Sequence, residues 1–294
     1  MQTFVKHILK IALILIVCAY ALDFGFTYVY KNASPQSKVQ FINSLKNQKF
    51  DYIFIGSSRV ENSVIAEEIE KKTNKKTINL GIKGLKLKDM SYIIKILKGY
   101  NVSYQKMFIQ IDYSFNHEEE SSKFFSFELL PFCGSSNLII DAYLKNTNEN
   151  FLFYKYIPFV KYTNSDQLIG FRKIISSLKN KPSAFKLNKG YQPLYGFSSR
   201  QAEKIPKIAN KKNKYFSEIN TFAKSKNLNV IYFSAPVSLK SENLDYFDKL
   251  KKNVPQLHNF HNVISEDKFF YDNLHINNNG AIVFTNILIE KLKL

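Results

Sequence analysis

A serine, a histidine and an aspartate of this chain stand in two short phrases that lie far apart. Ser58 follows a strand-like run at residues 52–55, whereas Asp272 and His275 are three residues apart, just before a C-terminal helical pattern. A serine hydroxyl becomes a useful nucleophile when an imidazole accepts its proton and a carboxylate orients that imidazole. The three residues are therefore candidates for a serine acyl-transfer site. The alternative is that Asp272 caps a helix and His275 lies at the surface.

Short apolar runs and helical patterns alternate along residues 48–294. The β-rich runs predict five strands, at residues 51–56, 77–80, 107–111, 229–234 and 262–265. Helical patterns cover residues 63–72, 87–98, 205–225, 242–252 and 279–292. This alternation predicts an α/β domain with a parallel five-stranded sheet and helices on both faces, in three layers. Ligands bind at the carboxyl ends of such strands, where both phrases fall.

The stretch from about residue 114 to 204 interrupts this alternation. It is rich in aromatic residues, at 124–132, 151–162 and 190–196. We interpret it as a large insertion after the third strand that covers the site. Its rings either bind a polymer chain or form the insertion's own core.

The N-terminal residues 1–30 have the pattern of an export signal or membrane anchor. Lys6 and Lys10 precede the apolar run Ile11–Leu22, and four aromatic residues follow at 24–30. The pattern favours an uncleaved, single-pass anchor in the cell membrane with the rest of the chain outside the cytoplasm. Cleavage of a signal peptide after residues 19–21 and a buried helix of a soluble protein are the alternatives.

Composition limits the partners and cofactors of the chain. It has 294 residues and a formal net charge of +18, but its lysines are scattered and no nucleic-acid motif is present, so nucleic acid is not an expected partner. Cys18 lies in the apolar run and Cys133 is the only other cysteine, which excludes a disulfide framework in the exported part. His258 and His261 lack a third ligand at a metal-binding spacing, so no metal site is expected.

The order of these phrases resembles the SGNH/GDSL hydrolase superfamily, in particular its membrane-anchored, extracytoplasmic branch associated with O-acylation of cell-surface polysaccharides. Gly56-Ser57-Ser58 is similar to the family's first block, Gly-Asp-Ser, with serine in place of aspartate. The resemblance implies a three-layer, flavodoxin-like fold that needs no cofactor. It also implies Ser58 as nucleophile, His275 as base and Asp272 as the residue that orients His275.

The resemblance also implies an oxyanion hole. The run at residues 78–84 resembles the family's second block, where Gly84 aligns best with the oxyanion-hole glycine and Gly81 is the second choice. A glycine lets its backbone approach a developing oxyanion closely. The N–H of Ser58, at the start of the following helix, is expected to be the partner donor.

The third block departs from the family. Where the family has Gly-x-Asn-Asp, this chain has residues 110–113 with Asp112 at the Asn position, and an ionised aspartate cannot donate a hydrogen bond. Gln110 or Asn116 is a candidate replacement for the missing donor, or the site relies on two donors. Asp112, Asn116 and Tyr191 are candidate substrate-binding residues.

The resemblance implies a serine esterase or O-acyltransferase that acts on a cell-surface carbohydrate, with acetyl as the expected acyl group. An acyltransferase would require a membrane-bound O-acyltransferase partner as the source of acyl groups. A non-catalytic scaffold or polysaccharide-binding component of an envelope polymer assembly or export system is the alternative. The missing Asn favours this alternative, whereas the intact Ser58, Asp272 and His275 favour the enzyme.

Overall fold

A computed structural model of the chain describes residues 1–134, 137–163, 166–199 and 204–294. The strands are β1 (Lys49–Gly56), β2 (Thr77–Gly81), β3 (Ser103–Gln110), β4 (Val230–Phe233) and β5 (Leu257–His258). The α-helices are α1 (Gln2–Asn32), α2 (Lys38–Asn43), α3 (Ser58–Glu61), α4 (Ala66–Thr73), α5 (Leu87–Gly99), α6 (Lys123–Leu129), α7 (Leu138–Thr147), α8 (Phe151–Tyr156), α9 (Val160–Thr163), α10 (Asp166–Ile169), α11 (Phe171–Leu178), α12 (Ala184–Leu187), α13 (Lys214–Ser225), α14 (Tyr246–Asn253) and α15 (Asn278–Leu292). Short 3-10 helices cover Tyr113–Asn116, Leu130–Phe132 and Asp267–Phe269.

The five strands form one sheet in the order β2-β1-β3-β4-β5, and every neighbouring pair is parallel. The predicted parallel five-stranded α/β sheet is therefore confirmed. β1 lies between β2 and β3, and its run Ile53, Phe54 and Ile55 is fully buried, as expected for an inner strand covered on both faces. Phe54 stacks on Phe108 of β3 with ring centroids 4.5 Å apart, which joins the two strands through their side chains.

The predicted position of the fifth strand is wrong. β5 consists of Leu257–His258, which pairs with Tyr232 and Phe233 of β4, and residues 262–265 form no strand. The apolar side chain of Ile264 is nevertheless buried in the core. An apolar run therefore indicated burial correctly but did not indicate backbone pairing.

Three predicted helices begin later than expected. α4 begins at Ala66 instead of residue 63, α13 at Lys214 instead of 205, and α14 at Tyr246 instead of 242. The start of α13 is set by its N-cap, Asn213, whose side-chain oxygen accepts hydrogen bonds from the N–H groups of Tyr215 and Phe216.

The chain divides into two compact units, residues 45–125 with 183–294, and residues 1–44 with 126–182. The first unit holds the whole sheet, and the second contains α1 together with much of the predicted insertion. Within the second unit, Tyr162 packs against α1, with its ring stacked on Tyr30 at 6.0 Å between centroids. Many of the insertion's rings are buried, namely those of Phe115, Phe125, Phe132, Tyr143, Phe151, Tyr154, Tyr162, Phe185 and Tyr191. That the insertion covers the site stays a prediction.

α1 is long and apolar enough to span a membrane, with a mean hydropathy of 2.2 over its most apolar window. Its only buried residues, Val29 and Tyr30, lie near its carboxyl end. Nearer its middle, Asp23 forms an ion pair with Lys161 of the same unit at 3.1 Å. The long apolar part of the helix that precedes Asp23 therefore lacks a protein core around it.

Candidate active site

A cavity of about 200 Å³ lies at the carboxyl ends of the first three strands. Its lining includes Ser58, which follows β1, Gly84, which follows β2, and Asp112, which follows β3. Asp272 and His275 complete one wall. The sheet thus brings together residues separated by more than 200 positions, as the parallel arrangement predicts.

Ser58 and His275 are in hydrogen-bond contact. The Oγ atom of Ser58 lies 2.8 Å from Nε2 of His275, and Nδ1 of His275 lies 3.0 Å from both carboxylate oxygens of Asp272. An ionised carboxylate only accepts hydrogen bonds, so Nδ1 carries the proton and donates it to Asp272. Nε2 is then left as the acceptor that faces the serine hydroxyl. This is the arrangement in which an imidazole serves as a general base for a serine nucleophile.

The carboxylate of Asp272 is fixed by its own loop. Its Oδ1 atom accepts hydrogen bonds from the backbone N–H groups of Leu274 and His275, each at 2.8 Å. Burial opposes ionisation of this carboxyl group, but the hydrogen bonds and the charge of the His275 imidazole outweigh it, so the pKa of Asp272 lies below its ordinary value. Asp272 therefore stays ionised at neutral pH and keeps His275 in one tautomer.

The turn that carries Ser58 is held by Gln110 at the end of β3. The Oε1 atom of Gln110 accepts hydrogen bonds from the backbone N–H and the hydroxyl of Ser57, at 2.9 and 3.0 Å. The turn also requires Gly56, because a Cβ atom there would lie 2.7 Å from Oε1 of Gln110. Ser57 caps α3 and accepts a hydrogen bond from the N–H of Arg59.

Arg59, the residue after the candidate nucleophile, is buried in an ion pair. Its Nη1 atom lies 2.9 Å from Oδ2 of Asp112, and the two side chains are 1% and 2% exposed. Nη2 donates hydrogen bonds to the carbonyl oxygens of Ala235 and Pro236, after β4. The pair therefore connects the first turn of α3 with the ends of β3 and β4.

Two backbone N–H groups in the cavity are available as oxyanion donors. Those of Ser58 and Gly84 have no acceptor within the described parts of the chain. Gly84 has a φ of +73°, a conformation that glycine adopts without strain. Gly81, the second choice, is a different case, because its N–H donates to Oδ1 of Asn79 at 2.8 Å and is therefore engaged.

The two amides considered as a third donor are also engaged. Nε2 of Gln110 donates to the carboxylate of Asp112, and Nδ2 of Asn116 donates to the carbonyl of Ile208 at 2.7 Å. Of the three candidate substrate-binding residues, only Asp112 lines the cavity. Tyr191 is buried, and its hydroxyl donates to Asn278 at 2.9 Å. Among the described residues considered as donors, the backbone N–H groups of Ser58 and Gly84 are therefore the two that remain available.

The structure adds residues that the sequence did not single out. Lys83 and Lys86 line the cavity, and Lys86 pairs with Glu120 at 3.2 Å. Asn79 donates from Nδ2 to the carbonyls of Val60 and Val64, at 2.8 and 2.7 Å, and thereby connects β2 with the segment that follows the nucleophile. A polar residue in the middle of the buried run at 77–80 was the available signal for Asn79.

The rings of His258 and His261 both stack on phenylalanine rings. His261 is buried, and its ring stacks on Phe247 with centroids 4.9 Å apart. His258 lies in β5 and stacks on Phe260 with centroids 6.3 Å apart. No group of three or more His, Cys, Asp or Glu side chains among the described residues is arranged to hold a metal ion.

No protein-family model matches the chain, and a search of curated proteins finds no significant match.

Proposed function

We propose that the protein is a serine esterase or O-acyltransferase of the SGNH/GDSL hydrolase type that acts on a cell-surface carbohydrate. The observation that carries this proposal is the contact of 2.8 Å between Ser58 Oγ and His275 Nε2, with Asp272 on the other imidazole nitrogen. A capping aspartate and a surface histidine would not require a serine hydroxyl at this position. The two unpaired N–H groups in the same cavity support the proposal.

The strand order agrees with the proposed fold. The order β2-β1-β3-β4-β5 is that of flavodoxin-like doubly wound sheets. The chain moves outward from β1 to β2 and then crosses back to β3, β4 and β5. Because crossovers between parallel strands are right-handed, these two directions are expected to place helices on opposite faces of the sheet. The site at the β1 end then lies at the switch point where such sheets bind ligands.

In the first half of the proposed reaction, Ser58 becomes acylated. Its Oγ attacks the carbonyl carbon of the donor ester while Nε2 of His275 accepts the hydroxyl proton. The N–H groups of Ser58 and Gly84 stabilise the negative charge that develops on the carbonyl oxygen. When the tetrahedral intermediate collapses, the bond to the leaving oxygen breaks and His275 returns the proton to the departing alcohol. An acyl ester on Ser58 remains.

In the second half, the acyl group leaves Ser58. A water molecule or a sugar hydroxyl attacks the acyl carbon, and His275 again accepts the proton of the attacking group. The second intermediate collapses, Oγ of Ser58 takes the proton back, and either a free acid or an acylated sugar is released. Asp272 stabilises the imidazolium in both halves. This chemistry uses only groups of the protein.

The size of the cavity supports a short acyl group. Its volume is about 200 Å³, and Ser58, Asp272 and His275 are among the residues that line it. Pockets for drug-sized ligands are larger, about 300 to 1,000 Å³. Acetyl is therefore the proposed group.

α1 supports a location at the cell membrane. As a single-pass anchor, it would hold the catalytic unit outside the cytoplasm, because Lys6 and Lys10 precede its apolar part and positive charges favour the cytoplasmic side. Lys31 at the far end weakens this charge difference. A transferase in this location would receive acyl groups from a membrane-bound O-acyltransferase and pass them to an envelope polymer.

Hydrolysis of p-nitrophenyl acetate by the detergent-solubilised full chain tests the proposal. The wild-type protein is expected to release nitrophenol, p-nitrophenyl octanoate is expected to react much more slowly, and Ser58→Ala is expected to abolish both reactions. A rate that is unaffected by Ser58→Ala would contradict the proposal.

A non-catalytic scaffold is the second candidate function, and it is favoured because Gln110 and Asn116, the two candidates for a third oxyanion donor, are engaged elsewhere. Asp112 stands where the family has Asn, and its carboxylate is engaged by Arg59. The cellular role separates the two candidates, because a scaffold keeps its role in polymer assembly after Ser58→Ala, whereas an enzyme loses it.

A further inference from the structure

A second, larger cleft adjoins the loop at residues 271–275, which carries Asp272 and His275 and is called the catalytic loop. It encloses about 520 Å³, within the usual range for ligand sites. Phe270 and Asn277 line it, and these residues flank Asp272 and His275, which line the smaller cavity. Phe270 and Ile276 form a β-bridge that closes the base of the catalytic loop. One continuous segment of the chain thus contributes to both cavities.

The opposite wall of the cleft is formed by residues 194–197, whose backbone is fixed on both sides. The carbonyl of Leu194 accepts a hydrogen bond from the N–H of Asn278 at 2.7 Å, and the N–H of Ser198 donates to the carbonyl of Tyr271. Earlier in the same stretch, Gly190 has a φ of +97°, and a Cβ atom there would lie 1.7 Å from the carbonyl oxygen of Asn79. These contacts hold the wall against β2 and the catalytic loop.

Two aromatic rings in this wall are exposed in spite of the fixed backbone. Tyr195 and Phe197 line the cleft and are 72% and 84% exposed. Loss of contact with water would stabilise each ring, so solvated rings on an anchored backbone indicate a surface that a ligand covers. Because the backbone is already ordered, binding there costs little conformational entropy.

The polar groups of the cleft favour a neutral ligand with hydroxyl groups. Lys268 pairs with Glu266, and Asp267 pairs with Lys240, so the charges at the rim are compensated. The amide of Asn279 is exposed, and in the described chain it forms no hydrogen bond. An amide offers both a donor and an acceptor, which matches a sugar hydroxyl.

We propose that this cleft is a carbohydrate-binding subsite that positions the sugar chain whose ester or hydroxyl group reacts at Ser58. A sugar ring has a face of C–H groups that suits the negative face of an aromatic ring, and an edge of hydroxyls that suits an amide. The positioning role rests on the proposed function, whereas sugar binding itself does not.

The absence of tryptophan in the chain allows a direct test. Phe197→Trp in the full chain gives a single fluorescent reporter in the cleft, and Phe153→Trp, at another exposed phenylalanine, gives a matched control. The probes are maltohexaose, cellohexaose, chitohexaose and mannohexaose at up to about 10 mM, a range suited to weak binding. At least one probe is expected to change the Phe197→Trp emission saturably and to leave the control unchanged.

Two further variants complete the test. Adding Tyr195→Ala to the reporter protein is expected to weaken binding about fivefold to tenfold. Adding Ser58→Ala is expected to leave sugar binding unchanged. If the protein with Ser58 intact binds a sugar but cleaves no ester, only the proposed function is refuted. No saturable change with any probe, or equal changes in reporter and control, would overturn the subsite even if the protein cleaves esters.

Discussion

Arg59 and Asp112 form an ion pair of 2.9 Å that is almost completely removed from solvent. Arg59 directly follows the candidate nucleophile, and Asp112 lies two residues after the last residue of β3, Gln110. The side chain of Arg59 also donates to carbonyl oxygens at Ala235 and Pro236. Through this pair, three strand ends determine where the first turn of α3, and hence Ser58, is placed.

Asp112→Asn is expected to destabilise the fold, because it leaves the charge of Arg59 buried without a counter-charge. The expected loss in the free energy of unfolding is about 3 kcal/mol or more. Chemical denaturation of the detergent-solubilised protein measures it. The control is Lys291→Met, which breaks a pair with Glu290 whose side chains are 60% and 72% exposed and which is expected to cost about 0.5 kcal/mol or less. Similar losses in both variants would show that the buried pair has no special role.

Asp272→Asn is expected to slow ester cleavage about a thousandfold or more while the fold is retained. The asparagine amide cannot hold the proton of His275 on Nδ1 as a carboxylate does, so Nε2 ceases to be a reliable acceptor for the Ser58 proton. The rate of p-nitrophenyl acetate hydrolysis measures the effect, with circular dichroism as the test of folding. A folded variant with near wild-type rate would exclude Asp272 from the reaction.

Gly84→Ala is expected to reduce kcat about tenfold or more, because a displaced backbone N–H stabilises the oxyanion less well. Gly134→Ala is a matched control. The φ angles of these glycines are +73° and +71°, and an added Cβ atom has no contact closer than 3.5 Å at either site, so the backbone strain is similar. Equal kcat values in the two variants would place the oxyanion elsewhere.

The stability of the protein is expected to fall as the pH decreases below about 6.5, because of His261. Burial lowers the pKa of this imidazole, and the charge of Arg59 lowers it further, against the opposing effect of Asp248. The unfolded chain therefore binds a proton before the folded chain does. As the pH falls from the pKa of His261 in the unfolded chain to its lower pKa in the folded chain, the free energy of unfolding decreases. The decrease is at most about 1.4 kcal/mol per pH unit.

His261→Gln is the variant that tests this assignment. It is expected to reduce the slope of unfolding free energy against pH between about pH 7 and 5. Some slope is expected to remain, because burial, with the charge of Lys251, also lowers the pKa of His258. An unchanged slope in the variant would show that His261 does not control the pH dependence.

The first four strands were predictable because each contains a short β-rich run that is largely apolar, although β3 begins at Ser103, four residues before its predicted start. β5 was not, since it has only two residues and pairs through its backbone, whereas Val263 and Ile264 of the predicted run pack against the core without pairing. Asn213, the N-cap of α13, was visible in the sequence, but the apolar residues that precede it extended the helical pattern. Local pattern therefore indicates burial better than it indicates hydrogen bonding.

For the site, residue types and strand ends were sufficient to predict that Ser58, Asp272 and His275 come together. The hydrogen bond that the N–H of Gly81 donates was not predictable, because its acceptor is the side chain of Asn79, two residues earlier in β2. The pair of Arg59 and Asp112 was hidden for a similar reason, since it joins residues 53 positions apart. Interactions between distant side chains require the fold before they can be assigned.

The measurement that most directly tests the account is mass spectrometry of the full chain after treatment with a fluorophosphonate probe, which reacts with activated serines. The expected result is a single covalent adduct on Ser58 that is lost in Ser58→Ala and strongly slowed in His275→Ala. An intact, folded protein without an adduct on Ser58 would contradict the proposed nucleophile and favour the scaffold.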